Sequence, residues 1–345
     1  MHDKAGRRIG VVGLGTMGAG IVEVFARGGH RVTGVEVDEA ARERGAGHLA
    51  KSIDKAVSRG KLAAEDAAAL RERITLTTDF GALADVELVI EAVPERIDIK
   101  HDLFRRLDEI CDPAAILATN TSSLPVTQIA ETTARPLQVV GMHFFNPAPI
   151  MKLIEVVHTP VTSTQTVDIV RELALDLGKT PVACGDKPGF IVNRLLFGYL
   201  NQAVSMLDDG EATGPEIDAA MVAAGFPMGP IMLLDVIGLD TSVQILDTIH
   251  TRDGELDRYA AAKSLRSLAA EGHLGRKTGR GFYEHGSPVV PAELDADRAA
   301  SIAATLLAPH RADAREMIDS GYATAEDIDT AMSLGCGYPR GVLTD

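Results

Sequence analysis

The sequence predicts a doubly wound α/β domain followed by an all-α domain that carries a partial repeat at its C-terminal end. Three observations support this fold class. A strand, a glycine-rich turn, a helix and a second strand follow one another at the start of the chain. Short apolar runs alternate with helical patterns as far as residue 183, and the periodicity is helical beyond that point. The length of 345 residues fits two domains.

The first strand–turn–helix–strand unit predicts a dinucleotide site of the Rossmann type. A β-branched run at residues 8–12 leads into GLGTMG, in which Gly13, Gly15 and Gly18 suit a tight turn, a close approach to pyrophosphate and helix packing. The following helix start offers free N–H groups to phosphate. Glu36 ends the second strand, where a carboxylate accepts from a ribose 2′-hydroxyl and repels a 2′-phosphate. The pattern therefore favours NAD over NADP.

The remaining elements are predicted in order along the chain. Helices are expected at residues 17–27, 39–59 and 63–73, and strands at 31–37, 87–93, 115–119, 137–142, 153–157 and 181–183. After KPGF, helices are expected at 191–208, 214–224, 231–249 and 256–271. This division predicts an NAD-binding domain at 1–186, a helical domain at 187–286, and a helical tail at 287–345.

The tail contains a truncated repeat of the helical domain. Residues 210–230 and 321–341 share a polar helix start, an ID-x-AM core and an aromatic–proline turn. The second copy stops four residues after Gly341. It is therefore too short to be a complete second domain.

Composition limits the classes of partner. The net charge of −15 argues against general affinity for nucleic acid or anionic membranes, although a local basic patch remains compatible with it. Cys111, Cys184 and Cys336 are widely spaced and predict reduced thiols without a disulfide or metal site. No signal peptide and no apolar run of about 20 residues is evident, so a cytoplasmic location is expected.

A histidine and a carboxylate on neighbouring apolar runs form the main catalytic candidate. His143 ends one run and Glu155 lies inside the next, with NPAP at 146–149 between them. The prolines and asparagine predict a turn that brings the two side chains together, as in an acid–base pair that works near neutral pH. The alternative is a core histidine beside an unrelated carboxylate.

Three further groups are equivocal by themselves. Asn120-Thr121-Ser122-Ser123 follows a predicted strand at the edge where ligands bind, but could equally cap the next helix. Asn193 at a helix start could be a plain polar residue. Lys51, Lys55 and Arg59 align on one helix face, with Lys61 nearby, and form either a solvated face or a receptor for an anionic handle.

Taken together, these segments resemble the L-3-hydroxyacyl-CoA dehydrogenase family, which includes bacterial 3-hydroxybutyryl-CoA dehydrogenases. The resemblance runs from about Arg8 to Tyr283. It rests on the motifs GLGTMGAG, ELVIEAVPE, NTSSLP, HFFNPAPIMKLIEVV, KPGFIVNR, GFPMGPIMLLDVIGLD and GRKTGRGFY.

The resemblance implies a role for each matching position. His143 would be the general base, Glu155 its orienting partner, and Ser122 and Asn193 hydrogen-bond donors to the substrate's oxygens. The positions implied for NAD are Gly13, Gly15, Thr16, Met17, Gly18, Glu36, Glu95, Lys100, Asn120, Ser122 and Asn146. Those implied for CoA are Ser52, Lys55, Arg59 and Lys61. The implied reaction is reversible hydride transfer between C3 of a 3-hydroxyacyl thioester and NAD, in a homodimer.

The resemblance leaves open the role of the C-terminal tail and the identity of the thioester carrier. The chain continues for 62 residues beyond Tyr283, where simple family members end, and we expect this tail to pack on the helical domain and modify a dimer interface. An acyl-carrier-protein thioester could replace acyl-CoA. A β-hydroxyacid dehydrogenase of the hydroxyisobutyrate type is disfavoured, because no lysine lies between Asn193 and Asp208. A catalytically silent NAD-binding protein is disfavoured because all four chemical positions are present.

Overall fold

The chain forms two compact units, residues 1–186 and 187–345. The computed structural model describes residues 6–254, 256–286, 292–339 and 341–343. The second unit includes both the helical segment and the tail. Their expected boundary at 286/287 adjoins residues 287–291, which lie outside the described residues. Within the described part of the chain, no helix combines the length and the apolar character needed to span a bilayer.

The first unit is built on one eight-stranded sheet, which confirms the predicted fold class. The strand order is β3-β2-β1-β4-β5-β6-β7-β8, and every pairing is parallel except β6 with β7. The strands are β1 (Arg8–Val12), β2 (Arg31–Val35), β3 (Ile74–Thr77), β4 (Leu88–Glu91), β5 (Ile116–Thr119), β6 (Val139–Phe144), β7 (Leu153–His158) and β8 (Thr180–Gly185).

Six α-helices flank the sheet, and the first of them is almost entirely buried. They are α1 (Thr16–Arg27), α2 (Glu39–Ser58), α3 (Ala64–Glu72), α4 (Ile97–Ile110), α5 (Val126–Ala130) and α6 (Thr164–Asp176). Small residues allow α1 to approach its neighbours closely. A Cβ on Gly20 would lie 3.2 Å from Ala148 Cβ, in the turn between β6 and β7. The glycine turn and the β6–β7 turn therefore pack on the same helix.

The described part of the second unit is helical. Its helices are α7 (Val192–Asp208), α8 (Gly214–Ala223), α9 (Pro230–Ile237), α10 (Leu239–Arg252), α11 (Lys263–Ala270), α12 (Ala296–Asp319) and α13 (Ala325–Cys336). Their core includes α12 residues such as Ile302 and Leu306. The tail therefore packs on the helical domain, as expected.

Two predicted helices were wrong, and one strand was missed. The single helix expected at 231–249 is broken at Gly238, whose φ of 109° no right-handed helix contains. The helix expected at 256–271 is a 3₁₀ turn at Asp257–Tyr259 followed by α11. The Asn201 amide donates to the carbonyls of Arg258 and Ala260 at 3.1 and 2.8 Å, which takes those carbonyls out of a helical pattern. Strand β3 was not predicted at all.

The two copies of the repeat have matching local structure. Thr213 caps α8 and Thr324 caps α13. The aspartate of each ID-x-AM core accepts from the backbone after the aromatic–proline turn: Asp218 from Ile231 N at 2.8 Å, and Asp329 from Val342 N at 2.7 Å. The sequence repeat is therefore also a structural one.

The turns of the two copies pack against each other. Phe226 and Tyr338 have ring centroids 4.7 Å apart. A Cβ on Gly225 would lie 3.4 Å from Pro339, and one on Gly337 would lie 3.5 Å from Pro227. The contacts are reciprocal, as an approximate two-fold relation between the copies requires.

A buried histidine lies beside these turns. His310 on α12 is 4% exposed, and its ring is 5.8 Å from Tyr199 and 5.5 Å from Tyr338. Burial lowers the pKa of His310 to about 4, and the neighbouring Arg311 adds to the shift. The folded chain thus keeps this imidazole neutral where an unfolded chain would protonate it.

We expect this histidine to make the fold acid-sensitive. As the pH falls from 7 to 5, the unfolded chain protonates His310 near 6.5 while the folded chain does not. The free energy of unfolding therefore drops by about 2 kcal/mol from this group alone. In His310→Phe, the difference between urea-unfolding free energies at the two pH values should shrink by about that amount. The same pH dependence in both proteins would contradict the assignment.

Candidate active site

The pairing of β6 with β7 places His143 directly opposite Glu155. Antiparallel partners share one face of a sheet, with Cβ atoms about 4.5–5.5 Å apart. His143 Nδ1 lies 2.6 Å from Glu155 Oε2. The carboxylate is fully buried and the imidazole is 5% exposed, so the pair is largely shielded from water. The structure therefore brings together the two residues expected to form the pair.

Ser122 lies on the other side of the imidazole. Its Oγ is 3.1 Å from His143 Nε2. A carboxylate can only accept, so His143 Nδ1 carries the proton that it donates to Glu155. In the neutral imidazole, Nε2 then holds the lone pair and accepts from the Ser122 hydroxyl. This tautomer leaves Nε2 able to take a proton from an alcohol.

The loop after β5 carries Ser122 and is attached at two points. Asn120 Oδ1 accepts from Phe144 N at 2.8 Å, next to His143 at the end of β6. Glu95 Oε1 accepts from the backbone N–H groups of Ser122 and Ser123 at 3.0 and 3.1 Å, and from the Thr121 hydroxyl. These bonds determine the position of Ser122 relative to the imidazole.

A buried ion-pair network supports Glu95. Lys100 Nζ is 2.6 Å from Glu91 Oε1 and 3.3 Å from Glu95 Oε2, and the Lys100 side chain is 1% exposed. Burial by itself would raise the pKa of Glu95. The charge of Lys100 and the hydrogen bonds from Thr121 and Ser122 outweigh that effect and lower it. Glu95 is therefore held as an anion.

Glu91 was not among the predicted site residues, although it belongs to this network. Its side chain is fully buried and also accepts from Val93 N at 2.7 Å and from the Thr119 hydroxyl at 2.6 Å. A signal was present, because a carboxylate inside the apolar run ELVIEAV needs buried partners. The cationic partner, Lys100, lies nine residues further along the chain.

The glycine turn has the backbone that a dinucleotide requires. Gly13 has φ of 88°, and its ideal Cβ would lie 2.7 Å from Ala92 O, so only glycine fits there. Gly15 is the N-cap residue of α1, so no side chain occupies the free N–H groups at the start of that helix. A Cβ on Gly15 would meet no atom within 4 Å. Thr16 and Met17 form the first turn of α1. These features fit a bound pyrophosphate.

Glu36 faces the same turn from the end of β2. Its Oε1 accepts from Leu14 N at 2.6 Å, and its Oε2 accepts from Val37 N at 3.1 Å. The carboxylate therefore lies beside the glycine turn, where the sequence placed the ribose partner.

A buried lysine, Lys179, stabilises the turn between β6 and β7 by hydrogen bonds. Lys179 Nζ donates to Ala148 O and Met151 O at 2.6 and 2.7 Å, and burial lowers its pKa to about 8. Asn146, at the start of this turn, is exposed. The lysine was not predicted as part of the site region.

The remaining candidates lie on α2, directly after it, and at the start of α7. Lys51, Lys55, Arg59 and Lys61 are all exposed, and Ser52 is half-buried. These four basic groups form no ion pair within 4.0 Å with any described residue. Asn193 is half-buried as the second residue of α7, in the second unit.

Family models match segments of both units of the chain. The family model "3-hydroxyacyl-CoA dehydrogenase, NAD binding domain" matches residues 8–187. The model "3-hydroxyacyl-CoA dehydrogenase, C-terminal domain" matches residues 189–285 and 302–344, so it reaches into the tail.

Curated relatives and solved structures agree with these matches. The 3-hydroxybutyryl-CoA dehydrogenase of Clostridioides difficile is 43% identical over 279 residues, 81% of this chain and 99% of that protein. The human mitochondrial hydroxyacyl-coenzyme A dehydrogenase is 42% identical over 81% of this chain and 91% of that protein. A crystal structure of 3-hydroxybutyryl-CoA dehydrogenase from Escherichia coli superposes with a TM-score of 0.91, 32% identity, and coverage of 98% of this chain and 90% of that chain.

The glycine turn and the histidine–glutamate pair therefore lie in a chain that matches one family from β1 to α13. The matched models cover well over half of its residues and include the NAD-binding domain. The chain belongs to the 3-hydroxyacyl-CoA dehydrogenase family, and is an NAD-dependent oxidoreductase that acts on a CH–OH group.

Proposed function

We propose that this enzyme interconverts short-chain L-3-hydroxyacyl-CoA and 3-ketoacyl-CoA thioesters of the 3-hydroxybutyryl type, with His143 as the general base. The observation that carries the proposal is the buried contact of 2.6 Å between His143 Nδ1 and Glu155 Oε2, which leaves Nε2 as a proton acceptor. The names of the relatives in C. difficile and E. coli support the short-chain substrate.

In the oxidising direction, His143 Nε2 takes the proton of the 3-hydroxyl group. Glu155 stabilises the imidazolium that forms, because their contact is buried. NAD held at the glycine turn would supply the hydride acceptor for C3, so that the products would be the 3-keto thioester, NADH and a proton on His143. Ser122 and Asn193 donate hydrogen bonds to the substrate's oxygens. In the reverse direction, protonated His143 acts as the acid.

For the cofactor, we assign direct contacts to the glycine turn, to Glu36 and to four loop residues, and indirect support to Lys100. The direct contacts are Gly13, Gly15, Thr16, Met17, Gly18, Glu36, Glu95, Asn120, Ser122 and Asn146. Lys100 is 1% exposed and pairs with Glu91 and Glu95. It would therefore act by holding Glu95 in place.

The exposed basic residues on and after α2 would receive the phosphates of CoA. Ser52, Lys55, Arg59 and Lys61 provide three cations and a hydroxyl in a protein of net charge −15. We also propose a homodimer in the cytoplasm, without nucleic-acid or membrane partners, in keeping with the acidic composition. An acyl-carrier-protein thioester is the alternative substrate.

The catalytic pair is tested by two substitutions. His143→Gln should lower kcat with acetoacetyl-CoA by about 10²–10⁴, the usual contribution of a general base, while NADH binding stays nearly unchanged. Glu155→Gln should lower kcat in the same direction, because a glutamine can donate to Nδ1 and place the ring proton on Nε2. Steady-state NADH absorbance and NADH fluorescence titration measure the two effects. If His143→Gln keeps more than about a tenth of kcat, His143 is not the base.

Alanine substitutions at Gly15 and Gly18 distinguish an effect on cofactor binding from an effect on folding. Alanine at Gly15 meets no atom within 4 Å and suits its φ of −63°, so Gly15→Ala should fold normally. Its methyl group would keep pyrophosphate from the backbone and raise the Kd for NADH by about tenfold or more. A Cβ on Gly18 would lie 1.7 Å from Gly13 O, so Gly18→Ala should also lower the melting temperature. Unchanged NADH affinity in Gly15→Ala would contradict the proposal that the pyrophosphate binds at this turn.

The basic stripe is tested with substrates that differ only in their carrier. Replacing both Lys55 and Arg59 with alanine should raise the KM for acetoacetyl-CoA by about fivefold, because two exposed charges facing phosphate are lost. The KM for acetoacetyl-pantetheine, which has no nucleotide phosphates, should not change. Arg42→Ala on the same helix is the matched control.

The same assay distinguishes the carriers. A higher kcat/KM with an acyl-carrier-protein thioester than with acetoacetyl-CoA would favour the alternative substrate. If the double variant raises the KM equally for the CoA and pantetheine substrates, the basic residues do not bind the phosphates of CoA. Turnover of 3-hydroxyisobutyrate in place of any thioester would contradict the proposed function itself.

A further inference from the structure

A buried group of charges surrounds Arg194, which follows Asn193 at the start of α7. The Arg194 side chain is 2% exposed, and its Nη1 lies 2.6 Å from Asp253 Oδ2 at the end of α10. Its guanidinium carbon is 5.2 Å from the centre of the Tyr259 ring. A buried cation needs such partners, since burial without them is costly.

The tail supplies one of these partners. Asp313 of α12 has a side chain that is 6% exposed, and its Oδ1 lies 3.8 Å from Arg194 Nε. Tyr259 Oη donates to Asp313 Oδ2 at 2.5 Å, and Arg258 Nη2 lies 3.1 Å from Asp313 Oδ1. One carboxylate of the tail thus contacts two arginines and a tyrosine. Asp313 lies 30 residues beyond Tyr283, where the resemblance to simple family members ends.

The backbone that leads into α7 is confined. Gly189 and Phe190 both have positive φ, 80° and 49°. Arg194 N donates to Gly189 O at 2.9 Å, and a Cβ on Gly189 would lie 2.9 Å from Arg194 N and 2.8 Å from Ile249 Cδ1. Phe190 has a backbone conformation that residues other than glycine rarely adopt. The surrounding structure must therefore maintain it, and the hydrogen bond from Arg194 N to Gly189 O is one of the contacts there.

We propose that Asp313 is a positioning residue for Asn193. By holding Arg194 together with Tyr259 and Asp253, it determines the orientation of the first turn of α7, and therefore the direction in which the Asn193 amide is presented to the acyl thioester. This proposal rests on the proposed function, which assigns Asn193 to the substrate. It gives the tail a part in turnover, in addition to packing on the helical domain.

The opposing view is that Asp313 merely fastens α12. The two views differ in the effect on turnover expected when Asp313 loses its charge but keeps its shape. Asp313→Asn keeps an oxygen that can accept from Tyr259 but removes the negative charge between the two arginines. Met317→Ala is the matched control, because Met317 lies one turn later on α12, is 3% exposed, and carries no charge.

The experiment uses full-length enzyme with acetoacetyl-CoA and NADH. Asp313→Asn should lower kcat/KM by about tenfold with NADH affinity unchanged. Met317→Ala should lower the melting temperature at least as much and leave kcat/KM within about twofold. A loss of kcat/KM that follows melting temperature in both variants would overturn the proposal.

A double-mutant cycle tests whether Asp313 acts through Asn193. In an Asn193→Ala background, Asp313→Asn should cause no further loss, because the amide that it positions is gone. The same loss in both backgrounds would overturn the proposal. If Asp313→Asn does not fold, Tyr259→Phe serves in the same cycle, since it removes only the hydroxyl that binds Asp313. We then expect a smaller loss of about threefold that also disappears in the Asn193→Ala background.

Failure of the proposed function gives a different result. In that case the unmodified enzyme does not turn over acetoacetyl-CoA, or Asn193→Ala and His143→Gln leave turnover unchanged. Failure of the present inference leaves an active enzyme whose turnover depends on His143 and Asn193 and is insensitive to the charge at residue 313.

Discussion

The reversed pairing of β7 against β6 is the constraint on which the candidate site depends. In an otherwise parallel sheet, equivalent ends of neighbouring strands meet. The reversal instead sets the middle of β7 opposite the end of β6, and so Glu155 opposite His143. A slip of one residue would send one of the two side chains to the other face. The short turn between the strands, tied to Lys179, keeps that register.

The buried charges of the first unit explain how the loop after β5 keeps its position. This loop is held by Glu95, which in turn is held by Lys100 and Glu91. Burying such charges is costly unless each has partners. Here each carboxylate accepts from backbone or hydroxyl donors as well as from the lysine. The satisfied network therefore gives Ser122 a defined position relative to the imidazole.

The parts that sequence predicted well are those that local chemistry determines. The glycine turn, Glu36 and the His143–Glu155 pair each follow from a short pattern with a steric or chemical reason. Strand β3 was missed because ITLT is short and only partly buried, so it lacks a strong apolar signal. The break at Gly238 and the turn at Tyr259 depend on contacts with Leu274 and Asn201, distant in sequence. Periodicity within a window does not report such contacts.

The truncated repeat shows why a partial copy can be stable. Each aromatic–proline turn presents a ring and a proline that a single copy would leave partly uncovered. The second turn covers the first through Phe226 and Tyr338 and through reciprocal glycine–proline contacts. That cover requires only one capped helix and its turn, which is what α13 and the residues after it provide. Helix α12 bridges the chain to this position and in passing places Asp313 beside Arg194. The tail thus completes both the apolar packing and the charge balance of the helical unit.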